Sequence, residues 1–160
     1  MKRRLLSTLI AALCAGLAGT AQAAIAGDVV KVGVLTDMSG PYADLSGPGS
    51  VVAAKMAAED YVKQTGSKLK IEIVSADHQN KPDVGSSIAR TWYDQDKVDA
   101  IFDVPTSSVA LAINQLTKEK GKAFINSGAA TSDLTGKACS PNTVHWTYDT
   151  WMLANGTGSA

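Results

Sequence analysis

Short β-branched runs, each followed by a loop and then by a stretch with helical spacing, constrain this chain more than any other feature. Val29 to Leu35 is apolar except at Lys31 and reads as a buried strand. From Ser50 onward, Val51, Val52, Ala54, Met56, Ala58, Tyr61 and Val62 follow helical spacing, and Gly66 marks the stop. Leu69 to Ala76 is a second strand. Pro82 then falls where a helix accepts proline, with Asp83 beside it to complement the helix dipole. Val84, Ile88, Trp92 and Tyr93 mark the helix that follows, which ends near Asp96. The cycle repeats with a strand over Val98 to Val104, a helix over Thr106 to Lys120 closed by Gly121, and a strand over Ala123 to Asn126. Strands separated by helices need crossover connections, which are right-handed, so the expected class is α/β with a doubly wound parallel sheet. Val144 to Tyr148 offers a short fifth strand, and Thr150 to Ala154 opens another helical pattern.

Residues 1–23 stand apart from that pattern. Lys2, Arg3 and Arg4 precede an uncharged apolar run from Leu5 to Ala18, and Ala21-Gln22-Ala23 supplies a small-x-small cleavage pattern. This is the architecture of a secretory signal peptide, and the run is short for a membrane span. An uncleaved anchor is the alternative. Leu13 before Cys14 argues against a lipoprotein, because small residues normally precede a lipidated cysteine. Residues 24–160 are then expected to form one lobe, and the final helical pattern stops short at Gly158-Ser159-Ala160, as in an N-terminal fragment.

The segment after Ala23 holds all 15 acidic residues but lacks three of the 15 basic ones, so it carries a net charge of −3. That mild acidity argues against a nucleic-acid partner. Only Cys139 remains there, either as a free thiol or with its partner elsewhere.

In a parallel sheet, ligands bind beyond the carboxyl ends of the strands. That rule selects Thr36 to Gly49, Asp77 to Lys81, Pro105 to Ser108 and Ser127 to Thr131, all expected at one edge. Thr106, Ser107 and Ser108 bring hydroxyls to a helix N-terminus, and Ser127-Gly128-Ala129-Ala130-Thr131 is a small-residue turn that can expose backbone N–H groups. Such groups suit a carboxylate. Plain helix capping by one of the hydroxyls is the competing reading.

Asp37-Met38-Ser39-Gly40-Pro41-Tyr42-Ala43 after the first strand resembles the opening of the leucine-binding-protein family, the type I periplasmic binding proteins of branched-chain amino acid importers. Asp77-His78-Gln79-Asn80-Lys81-Pro82, Ser107-Ser108 and Ala129-Ala130-Thr131 match further landmarks in the same order, over residues 29 to 160. The resemblance implies lobe one of such a protein, with the second lobe missing. It also implies capture of an amino acid or related carboxylate or amide, without a cofactor, for a membrane permease of an ABC importer in the periplasm. Ser107 or Ser108, with Ala129 and Thr131, would hold the ligand carboxylate. Tyr42 and Tyr148 could line the cleft. A ligand-sensing receptor module of the same fold is the alternative.

Enzyme readings fit poorly. Gly47-Pro48-Gly49 starts a dinucleotide fingerprint, but Val52 fills the third glycine's place and the loop is too long. No nucleophile elbow occurs. His78, His145 and Cys139 show no metal-ligand spacing.

Overall fold

The structure, a computed structural model, describes residues 29–160; the expected signal peptide therefore lies outside the described residues. The described elements are β1 (Val29–Thr36), α1 (Gly47–Thr65), β2 (Lys70–Asp77), α2 (Pro82–Asp94), β3 (Ala100–Asp103), α3 (Ser107–Lys120) and β4 (Ala123–Asn126). A short 3-10 turn (Ser132–Leu134), β5 (Thr143–His145) and α4 (Thr150–Gly158) follow. Every strand pair is parallel, and the order across the sheet is β2-β1-β3-β4-β5. The expected α/β parallel sheet is the observed one. The chain builds outward from β1 in one direction to β2 and in the other to β3, β4 and β5, so the winding reverses between β1 and β3.

One face of the sheet carries the core. Leu35, Ile101 and Phe124 come from three neighbouring strands and meet Ala89, Trp92 and Tyr93 of α2 and Val109, Ala110, Ile113 and Leu116 of α3. Strand alternation explains the assignment, because one residue in two along each strand turns to that side. Gly33 sits under Trp92, and a Cβ there would lie 2.4 Å from the ring. The Tyr93 hydroxyl meets Thr117 Oγ1 at 3.0 Å, and burial pushes its phenol up to about 12.

On the opposite face α1 lies against β1 and β2 and covers only that part of the sheet. Sequence spacing places Val52, Met56 and Tyr61 on its buried stripe, but all three are exposed. Val51, Ala54, Ala58 and Val62 form the half-buried stripe instead. The apolar positions of α1 wrap more than one face, and only residues three and four apart share the side that meets the sheet. Beside α1, an open apolar hollow of about 800 Å³ runs over Val30, Val32, Val34, Phe102 and Trp146.

Several boundaries move. α1 begins at Gly47, with Pro48 in its first turn, rather than at Ser50, because proline's missing N–H is no loss there. Val98 is buried yet precedes β3, and its N–H donates to the Trp92 carbonyl at 2.9 Å to close the α2 turn. β5 ends at His145 rather than reaching Tyr148.

Candidate ligand-binding site

The reversal of winding between β1 and β3 sends the chain to opposite faces of the sheet and leaves a crevice at the strands' carboxyl ends. A cleft of about 210 Å³ occupies that edge. Leu45, Ser46 and Ser50 enter it from beyond β1, Asp103 from β3, Ser127 and Gly128 from beyond β4, and Thr147 and Tyr148 from beyond β5. Complete small-molecule sites usually enclose about 300–1,000 Å³, so this cleft has the size of a partial site. A larger hollow of about 480 Å³ lies among Lys55, Glu59, Lys63 and Ile71, around the end of α1 and the start of β2, away from this edge.

The end of β3 is unusual. Asp103 and Val104 have φ of 80° and 61°, a region that residues other than glycine seldom adopt. Each such residue costs about 1–3 kcal/mol unless its surroundings enforce it. Here the enforcement comes from buried Asn126, whose Nδ2 donates to the carbonyls of both Asp103 and Val104 at 2.9 Å. The Val104 N–H also donates to the Leu35 carbonyl at 3.0 Å. The turn brings the Asp103 carboxylate against Ser127, whose hydroxyl donates to Oδ1 at 2.9 Å. Asp103 is only 5% exposed, and its Oδ2 has no partner.

The sequence-predicted site residues all lie at or just beyond the carboxyl edge, and the structure sorts them. Ser107 and Ser108 open α3, the first half-buried and the second exposed. The residue capping position is Thr106, yet its hydroxyl makes no capping bond and is buried without a partner. Simple capping therefore does not account for this hydroxyl cluster, and the helix N–H groups have no side-chain cap. Ala129 is buried, and its carbonyl is 2.6 Å from His145 Nε2. Thr131 Oγ1 accepts from the Asp133 N–H at 3.3 Å, capping the 3-10 turn. Of these predicted residues only Tyr148 lines the cleft; Ser107, Ser108, Ala129 and Thr131 flank it without being among its lining residues, and Tyr42 is half-buried in the β1–α1 loop outside it. The loops after β3 and β4 touch directly, since a Cβ on Gly128 would come within 2.8 Å of Pro105 Cα.

Sequence reasoning missed Asp103, although a carboxylate ending an otherwise apolar strand was an available signal. His145, weighed in the sequence only as a metal ligand, instead meets a backbone carbonyl sixteen positions away.

The remaining two loops at this edge are tied to each other through Asp77. Asp37 accepts from the N–H groups of Gly40 and Tyr42 at 2.9 and 3.0 Å. Asp77 accepts from Ser39 Oγ at 2.6 Å and from the N–H groups of Gln79 and Met38 at 2.7 and 3.0 Å. Burial opposes ionisation of Asp77, but those hydrogen bonds outweigh it and hold its carboxyl below the usual range. His78 is fully buried and accepts from the Asn80 N–H at Nδ1, 3.0 Å away, so its proton sits on Nε2. Burial pushes the imidazole below its ordinary value against the pull of Asp37, Asp77 and Asp103. A group depressed in this way contributes stability that is complete above its unfolded value and lost as pH falls. Acidification below about 6.5 is therefore expected to destabilise the lobe by up to about 1.4 kcal/mol per pH unit, until the folded-state value is passed. Urea midpoints at pH 7.5 and 5.5 check this, and His78→Gln, which cannot titrate, is expected to shrink the difference.

Among the described residues no group of three His, Cys, Asp or Glu side chains could hold a metal, and Cys139 is an exposed free thiol.

Comparison with known proteins fits this geometry. A family model described as periplasmic binding protein matches residues 29–160. A periplasmic binding protein from Burkholderia mallei is 48% identical, with a TM-score of 0.77, over 82% of this chain and 35% of that one. A branched-chain amino acid ABC transporter periplasmic ligand-binding protein from Burkholderia xenovorans is 43% identical, with a TM-score of 0.70, over 81% and 36%. A solute-binding protein of an ABC transporter from R. palustris, solved with 4-hydroxybenzoate, is 28% identical, with a TM-score of 0.63, over 81% and 36%. No curated protein matched the sequence. The chain thus spans little more than a third of these solved chains, and it belongs to the periplasmic binding protein family.

Proposed function

We propose that residues 29–160 form one wall of a solute site that captures an amino acid or related small carboxylate in the periplasm and delivers it to the permease of an ABC importer. The observation that carries this reading is the meeting of the β3 and β4 loops, with uncapped N–H groups and a partnerless buried hydroxyl, beside a cleft where the sheet's winding reverses. A carboxylate placed there would accept hydrogen bonds from Ser107 or Ser108 and from the turn at Ala129 and Thr131. Tyr148, and from the β1–α1 loop Tyr42, would flank the rest of the ligand. Binding of this kind needs preformed donors and no catalytic group.

One wall leaves a ligand half in water. Two-lobed binders close about a hinge and gain their affinity from both sides. Residues 29–160 by themselves are therefore expected to bind carboxylates only weakly, with a Kd of about 1 mM or above, about 4 kcal/mol of binding free energy or less. Heteronuclear NMR titration with leucine and with 4-hydroxybenzoate tests the proposal. Shifts should concentrate at Ser107, Ser108, Ala129, Thr131 and Tyr148. Ser107→Ala and Ser108→Ala, made separately, should identify the contacting serine by a loss of about three- to ten-fold, the worth of one hydrogen bond. Shifts confined to the hollow beside α1, or none at the rim at high ligand concentration, would refute it.

A further inference from the structure

We infer that Asp103 is a specificity-determining residue of this same site, accepting a hydrogen bond from an ammonium or hydroxyl group on the ligand; the inference rests on the solute-binding reading above. Three independent features of Asp103 converge on it. Asp103 is among the residues lining the cleft at the switch point, together with Ser46, Ser50, Ser127 and Tyr148. Its residue is more than nine-tenths buried, and Oδ2 lacks a partner while Oδ1 is held by Ser127. Its backbone, with that of Val104, is held in the left-handed region by the two hydrogen bonds from Asn126.

A buried carboxylate oxygen without a donor is unfavourable, and none of the ion pairs among the described residues includes Asp103. The fold thus holds a strained turn and an unmet acceptor at one point, the pattern expected where a ligand completes the hydrogen bonding. Asp103 borders both the cleft and the hollow beside α1, the two openings from which a donor can arrive. An unpartnered carboxylate oxygen calls for a donor, so Oδ2 of Asp103 favours a ligand group that can donate over a second carboxylate. That polarity orients the ligand. Its carboxylate faces the N–H and hydroxyl groups at 107–108 and 129–131, and its ammonium or hydroxyl faces Asp103. The ligand class is then a carboxylate that also bears a donor, an amino acid or a hydroxylated acid, in preference to a plain carboxylate.

Matched pairs test this on the full chain by NMR titration: leucine against 4-methylpentanoate, and 4-hydroxybenzoate against benzoate. In the wild type, the donor-bearing member of at least one pair is expected to bind about ten-fold tighter, because a site built to pair with a donor discriminates against its absence. The discriminating pair tells ammonium from hydroxyl. Asp103→Asn is expected to narrow that ratio to about three-fold or less, with rim shifts retained for the shared carboxylate. Asparagine tolerates positive φ, so this variant keeps the turn, and its melting temperature should match or exceed the wild type's. Ser127→Ala, which frees Oδ1 without touching the turn, should preserve or widen the preference. Equal binding within both pairs, or a ratio unchanged in Asp103→Asn, would overturn the role of Asp103 and leave the solute-binding reading standing. Absence of rim shifts with every carboxylate would overturn both.

Discussion

Trp92→Ala is expected to lower the unfolding free energy by about 3–5 kcal/mol, the usual cost of deleting a buried aromatic side chain. Single domains are stable by only about 5–15 kcal/mol, so the variant should sit near the edge of folding at room temperature. Trp92 is 7% exposed and belongs to the core shared by α2, α3 and the central strands. Its ring fills the space that a side chain at position 33 would otherwise take, which couples the two positions. Gly33→Ala alone should cost about 1–3 kcal/mol, because its new Cβ would meet the ring at 2.4 and 2.5 Å. In the Trp92→Ala background the same change should cost much less, since the cavity receives the methyl group. Denaturant unfolding of the two single variants and the double variant measures this coupling. Additive effects would show that the ring does not rest on Gly33.

Gly128→Ala should cost about 1–3 kcal/mol and also blunt ligand-induced shifts at the rim. Its Cβ would lie 2.8 Å from Pro105 Cα and 3.1 Å from Pro105 Cβ. A flexible side chain could swing away from such a contact, but Cα belongs to the backbone and the proline ring is stiff. Relief requires the loops after β3 and β4 to part; the first leads directly into Ser107 and Ser108 at the start of α3, and the second carries Ala129 and Thr131. Loss of binding should therefore exceed that in a variant of equal stability altered in the core, such as Ile113→Val. Thermal melts and leucine titrations of the two variants decide the matter. Equal binding by both would mean that contact between the loops does not set the site.

The path from sequence to site was uneven for physical reasons. Strand and helix periodicities are local, so Val29–Thr36, Pro82–Asp94 and Ala123–Asn126 were visible within a residue or two. The burial of α1 was less so, because its apolar residues surround the helix and only contact with β1 and β2 selects the face. Thr106 illustrates the limit at the site itself. A hydroxyl before a helix reads as a cap, but its real geometry leaves the oxygen buried and unbonded.

Alternation of two periods along the chain determined an α/β parallel sheet, and parallel strands must release their loops at a common edge. The linear order of residues therefore placed Ser107, Ser108, Ala129 and Thr131 at that edge. Only the tertiary structure decided the strand order, with its reversal between β1 and β3, and with it where along the edge a cleft opens. It also decided the left-handed turn at Asp103, which depends on an amide from Asn126, a neighbour across the sheet and remote in sequence. Local pattern fixes which elements form; partners brought together by packing fix where a side chain must point.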